Sequence, residues 1–304
     1  MKYYLGIEIG SGKLHLAVAD ETNTVLEQIR HAVTPEQTAD DHRNLLETSI
    51  GDLHTRYRFA SVCVGFSGPV DWQQGKTIRS YRVNGWANFD LSDWLEDILR
   101  CPCKIENDAN LAALAEALQG SGKNYPTVFY LKLGYGIGGG LIQKGQIYHG
   151  ARPGESEIGK IRLDRSGTTL ENVASIRSIV EKIKTEVTEH PDTDLAKAFS
   201  ENNVNDYLTK NIGQDAWATQ VMQETADHLA FGLSHVIHLL HPDLIIIGGG
   251  FLPLSDHLRS VIEKILPTYV VEAFRPLPKL AMAQLADEAV VRGALLVARQ
   301  NSYL

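Results

Sequence analysis

The residues of this chain most able to do chemistry are a few acids and amides set among glycine-rich turns. Glu106-Asn107-Asp108-Ala109-Asn110 places an aspartate just past an apolar strand pattern, in the first turn of a helix. A carboxylate held there can take a proton from a substrate hydroxyl, and the same residue types also suit a helix cap. Downstream, Glu157 and Lys160 follow a hairpin pattern, and Thr169-Leu170-Glu171-Asn172 opens a helix with Glu171 in its first turn. Taken singly, each of these three also reads as a solvated charge. Three glycine turns accompany them: Gly10-Ser11-Gly12-Lys13, the run Gly134-Tyr135-Gly136-Ile137-Gly138-Gly139-Gly140, and Ile247-Gly248-Gly249-Gly250. Glycine lacks a Cβ, so its turns let backbone N–H groups crowd around an anion, and phosphate is the anion expected. The first turn alone is also an ordinary hairpin, and it does not match the Walker pattern.

The elements that must hold these groups alternate between strand and helix patterns. Tyr3–Ile9 reads as a strand, residues 13–19 as its hairpin partner and 25–31 as a third strand. Helical spacing covers 35–56, a buried-type strand 60–66, and a helix Leu91–Leu99. A strand at 104–106 leads into a helix over 109–119. The polar, turn-rich stretch 120–126 marks a domain boundary. Strand patterns at Thr127–Leu133, 140–143 and 146–148, with a seven-residue glycine turn before the second, repeat the N-terminal theme. A polar helical region spans 172–211. A long helix over 215–240 stops at His241-Pro242, an apolar strand at 244–247 runs into the third glycine turn, and a helix at 255–265 follows. The last amphipathic helix covers 288–299, with acidic Asp287 at its start. The expected division is an N-terminal α/β domain, 1–119, and a C-terminal one, 120–287, with the helix at about 288–300 packing back on the first.

The 304 residues are 43% hydrophobic and 22% charged, with net charge −8, a soluble globular composition. That acidity argues against a nucleic-acid or anionic-membrane surface. No apolar run approaches the ~20 residues that span a bilayer, and residues 1–10 lack a secretory pattern. Cys63, Cys101 and Cys103 form no disulfide framework or zinc motif, which suits a reducing compartment and a cytoplasmic protein.

Read in order, these motifs resemble the ROK family of sugar kinases and sugar-responsive repressors, within the actin-like (ribonuclease H-like) ATPase superfold. The resemblance rests on Gly6-Ile7-Glu8-Ile9-Gly10-Ser11-Gly12-Lys13, Gly65-Phe66-Ser67-Gly68-Pro69-Val70-Asp71, Glu106-Asn107-Asp108-Ala109-Asn110, the glycine run from Gly134, Gly150-Ala151 with Glu157-Ile158-Gly159, Leu170-Glu171-Asn172-Val173-Ala174-Ser175, and Ile247-Gly248-Gly249-Gly250. It implies a two-domain actin-like fold with an interdomain cleft, and ATP-dependent phosphorylation of a sugar hydroxyl with Asp108 as general base. Gly68, Asn107, Glu157, Lys160 and Glu171 would meet the sugar. Glu8, Gly10, Ser11, Gly12 and Lys13, with Gly134, Tyr135 and Gly136, would surround the nucleotide phosphates, and Gly248, Gly249 and Gly250 would lie against adenosine. ATP and Mg2+ are the implied cofactors, a small sugar the implied partner, and a homodimer the implied assembly.

The chain departs from the family pattern at several points. Glu8 stands where the family has Asp, Ser11-Gly12 replaces a Gly-Thr pair, and Tyr135 replaces Thr between two glycines. Lys160 replaces a His, and the cysteine-rich zinc loop is absent, so no structural zinc is expected. Arg82 replaces an Asn ahead of Gly85-Trp86. These departures leave a second expectation open, a catalytically weak or inactive sugar-binding regulator. Against it, the chain opens on its first strand, without the helix-turn-helix of the family's repressors.

Overall fold

The computed structural model describes residues 1–10, 12–34, 36–151, 154, 156–193, 195, 197, 204–250 and 254–301. Two compact units emerge: Met1–Leu118 with Gly145–Glu155 and Asp287–Leu304, and Gln119–Lys144 with Ser156–Ala286. Relative to the expected limits, the first unit also takes in the segment 145–155.

The first unit begins with β1 (Tyr3–Ile9), β2 (Lys13–Asp20) and β3 (Val25–Ala32). Next come α1 (Ala39–His54), β4 (Phe59–Phe66), and the short strands β5 (Val70–Asp71) and β6 (Lys76–Thr77). The helix α2 (Leu91–Leu99), β7 (Cys103–Asn107) and α3 (Asp108–Gln119) complete the run. The main sheet has the order β3-β2-β1-β4-β7. β1 pairs antiparallel with β2 and parallel with β4, and β4 pairs parallel with β7. β1 and β4 are apolar almost throughout because helices cover them. The helix expected from 35 begins at Ala39 instead. Thr38 and Asp41 form a capping box there, which sets the start, and Pro35 lies outside the described residues.

The second unit is built from β8 (Thr127–Leu133) and β9 (Ile137–Gln143), with the short β10 (Gln146–Ile147) falling in the 145–155 segment. Then come α4 (Leu170–Ala174), α5 (Ile176–Glu189), α6 (Val204–Asn211), α7 (Ala216–Leu240), β11 (Leu244–Gly248), α8 (Ser255–Tyr269) and β12 (Lys279–Met282). Its strands run β9-β8-β11-β12. β8 pairs antiparallel with β9 and parallel with β11, which pairs parallel with β12. The topology of the first unit is therefore repeated.

The expected seven-residue glycine turn is shorter in the structure. Only Gly134-Tyr135-Gly136 turns, while Gly138, Gly139 and Gly140 are strand residues opposite Lys132, Leu131 and Tyr130. Gly139 is needed there for space, since a Cβ would meet the Phe129 ring and the Ser156 carbonyl at 2.8 Å. The expected helices at 255–265 and 288–299 extend to Tyr269 and, as α9 (Ala289–Asn301), to Asn301. α9 belongs to the first unit and fills its core with Val290, Val291, Ala294 and Leu295.

Candidate active site

β7 passes into α3 with no intervening loop, and this junction sets the acid. Asn107 ends the strand, and its Oδ1 accepts the N–H groups of Ala109 at 2.8 Å and Asn110 at 3.3 Å. Asn107 is thus the cap, and Asp108 follows it as the first residue of the helix. Asp108 is only 5% exposed and lies at the positive end of the helix dipole. The Asn107 amide donates from Nδ2 to the Gly68 carbonyl at 3.2 Å. A Cβ on Gly68 would lie 2.5 Å from the Arg79 carbonyl, so only glycine fits.

Behind this pair is Glu106, which sequence reasoning placed in the motif without a role. Its Oε1 accepts Asn107 N–H at 2.8 Å and Asn110 Nδ2 at 2.9 Å. Its Oε2 lies 2.5 Å from His149 Nε2, and the Trp72 ring stacks on His149 at 4.1 Å. Neither His149 nor Trp72 carried a sequence signal, because both contacts join segments distant in the chain.

The first glycine turn closes β1 onto β2, with Gly10 N–H donating to the Lys13 carbonyl at 2.9 Å. Ser11 lies outside the described residues. Glu8, buried on β1, faces Lys13 Nζ at 3.3 Å and His15 Nδ1 at 3.9 Å. Lys13 Nζ also donates to the Asp287 carbonyl at 3.1 Å. Burial holds His15 below the ordinary histidine value, with Arg30 and Lys13 reinforcing that and the Gln28 hydrogen bond opposing it.

The second unit gathers another group of the expected residues. Gly134 N–H donates to the Gly136 carbonyl at 3.0 Å, closing the turn. Glu171 is held in the first turn of α4 by the Thr169–Asn172 capping box. Its Oε2 accepts the Ile137 N–H at 3.0 Å, and its Oε1 accepts Lys160 Nζ at 2.8 Å. Lys160 closes a 3-10 turn that Glu157 precedes. A Cβ on Gly136 would sit 2.8 Å from Glu171 Oε2, so the carboxylate packs directly on the turn. Gly249 has φ +96, and a Cβ there would lie 2.3 Å from the Leu133 carbonyl. A Cβ on Gly250 would come 3.8 Å from the Gly134 Cα, so the third glycine turn abuts the second. Tyr135, at the tip of the second turn, is 45% exposed. Gly248 follows the same logic of close approach, against the Tyr130 hydroxyl.

Burial pushes the Cys63 and Cys103 thiols well above the ordinary range and Cys101 up to about 11. None is a nucleophile at neutral pH. Among the described residues, no group of three or more His, Cys, Asp or Glu is placed to hold a metal ion, and no helix is long and apolar enough to cross a membrane.

Two α/β units, each with an antiparallel hairpin feeding parallel strands and a glycine turn at the strand ends, define the actin-like ATPase fold class. The ROK family model matches residues 4–301, and the chain belongs to the ROK family. A glucokinase of Halalkalibacterium halodurans is 28% identical over 99% of this chain and 96% of its own length. An N-acetyl-D-glucosamine kinase of Yersinia enterocolitica is 30% identical over 96% of this chain and 97% of its own. The crystal structure of a ROK family glucokinase from Streptomyces griseus, in complex with glucose and AMPPNP, superposes with a TM-score of 0.83 at 25% identity, covering 98% of this chain and 99% of that one.

Proposed function

We propose that this protein transfers the γ-phosphoryl group of ATP to a hydroxyl of a hexose or hexose derivative, with Asp108 as general base. The observation that carries the reading is the β7–α3 junction, where Asn107 caps the helix and holds Gly68 while Asp108 is buried beside it. A sugar hydroxyl is a poor nucleophile at neutral pH. Asp108 accepts its proton as the oxygen bonds to phosphorus and ADP leaves, typically worth about 10²–10⁴-fold in rate. Asn107, Glu157, Lys160 and Glu171 hold the sugar's hydroxyls. Lys160, paired with Glu171, supplies the cation at that point.

The glycine turns suit a nucleotide. A Cβ at Gly249 or Gly248 would collide with neighbouring strands, whereas one at Gly12 would meet nothing within 4 Å. ATP would supply the transferable phosphoryl group, and Glu8 is the carboxylate that would hold Mg2+, whose charge would offset that of the phosphates. Lys13 beside Glu8 adds a positive charge at the same turn. Family resemblance adds a cytoplasmic homodimer, which sedimentation would test.

A coupled ADP-release assay across hexoses, amino sugars and β-glucosides tests the reading. Turnover is expected on at least one of them, with a loss of about 10²-fold or more in Asp108→Ala. No turnover on any, or an undiminished rate in the variant, refutes it. The exposed phenol of Tyr135 on the phosphate turn favours a second reading, a sugar-binding regulator. Thermal stabilisation by sugar but none by ATP–Mg, with ATP binding restored in Tyr135→Thr, would select that one.

A further inference from the structure

Glu106, which is buried, and His149, which is half-buried, form a pair in the first unit that the proposed reaction does not use. The Glu106 carboxylate is buried, and both of its oxygens are occupied. Oε1 takes the Asn107 N–H and the Asn110 amide, and Oε2 lies 2.5 Å from His149 Nε2. The indole of Trp72 stacks nearly parallel on the imidazole, with centroids 4.1 Å apart and planes at 21°, which fixes the ring's orientation.

We infer that His149, clamped by Trp72, is a positioning residue for the sugar-binding strand end. It holds Glu106, and through Glu106 the backbone of Asn107 and the side chain of Asn110, so that Asn107 and Asp108 meet the substrate in one orientation. The inference rests on the kinase reading above. A buried carboxylate oxygen that loses its donor must rotate or recruit water. Rotation of Glu106 would carry Oε1 away from Asn107 N–H and Asn110. Those two contacts anchor Asn107, whose Oδ1 caps α3 beside Asp108, and Asn110 in the same turn, and a misplacement of about 1 Å at a reacting group can cost on the order of 10²-fold. Asn107 would also drift from Gly68, the residue its amide holds.

The test compares wild type with His149→Ala, His149→Gln and Glu106→Gln. Sugar affinity is read by calorimetry without nucleotide, and kcat and both KM values are read by the coupled assay. His149→Ala is expected to weaken sugar binding about 10-fold and lower kcat about 10-fold while leaving KM for ATP unchanged. His149→Gln keeps a donor and should recover most of both. Unchanged sugar affinity and kcat in His149→Ala overturn the inference, as do equal losses toward sugar and ATP that glutamine does not relieve. Should His149→Ala fail to fold, proton NMR reads the contact itself. A downfield His149 Nε2–H resonance is expected in wild type, and its survival in Glu106→Gln overturns the inference. Wild type that binds no sugar refutes the kinase reading and this role with it. Wild type that phosphorylates sugar alongside an unimpaired His149→Ala refutes this role alone.

Discussion

Gly249 and Gly12 both sit in turns assigned to the nucleotide, yet their surroundings differ enough to separate strain from function. At Gly249 a side chain meets a left-handed backbone, φ +96, and the Leu133 carbonyl 2.3 Å from the Cβ position. Neither can give cheaply, because the carbonyl belongs to the end of β8. Gly249→Ala should therefore destabilise the fold by roughly 1–3 kcal/mol or more. A Cβ on Gly12 meets nothing within 4 Å, so Gly12→Ala should leave stability within about 0.5 kcal/mol of wild type. Urea unfolding of the two variants checks both values. If Gly12→Ala also raises KM for ATP, its space is reserved for phosphate rather than for packing. The residue scale is where the sequence was most legible. Asn107-Asp108 already read as a cap or an acid, and in the structure Asn107 is the cap. His149 was illegible, because what gives it a place is Glu106, distant in the chain, and a stacked Trp72.

At the scale of elements, the strands and helices that position the site were readable because hydrophobic runs and turn residues coincide. Leu91–Leu99 and Tyr3–Ile9 have the bounds their patterns predict. The glycine run misled for a physical reason. Glycine is depleted in strands, yet Gly138, Gly139 and Gly140 lie in β9, where close neighbours leave Gly139 no room for a side chain. β12 had no visible signal, since a four-residue parallel edge strand carries little period. Helix α1 holds a group whose consequence is testable. His42 is fully buried against the core, and neither ring nitrogen has a hydrogen-bond partner among the described residues. Burial holds its pKa below the ordinary value of 6.5, with Asp41 opposing only in part. The unfolded chain therefore binds this proton more readily than the folded one. Stability is fully present above pH 6.5 and declines as pH falls toward the folded value. His42→Leu should flatten that acid limb, leaving the contribution of His15, which is shifted in the same direction. Urea midpoints at pH 7.5, 6.5 and about 5.5 measure it, and an unchanged slope in the variant would rule His42 out.

Across the whole molecule the same topology is used twice, but the chain does not divide at its middle. The first unit is completed only by residues after Asp287. α9 rides so closely on α3 and β1 that a Cβ on Gly293 would come 2.0 Å from the Leu111 carbonyl, and one on Gly6 2.6 Å from the Val291 carbonyl. Val290, Val291 and Leu295 are buried there, each worth roughly 1.5–3 kcal/mol. The Ser61 hydroxyl donates to the Ala298 carbonyl. At the head of the helix, Glu288 accepts from Gln28 at 3.1 Å and from Arg292 at 2.7 Å. Three such side chains together match a large part of the roughly 5–15 kcal/mol by which a whole domain is stable. Deleting residues 288–304 should therefore unfold the first unit while the second keeps the core around β8 and β11. Hydrogen exchange reads the two separately: amides of β1 and β4 should lose protection by orders of magnitude, and those of β8 and β11 should stay protected. Equal loss in both sheets would mean that the units fold only together. Retained protection in β1 would mean that α9 covers the sheet without stabilising it.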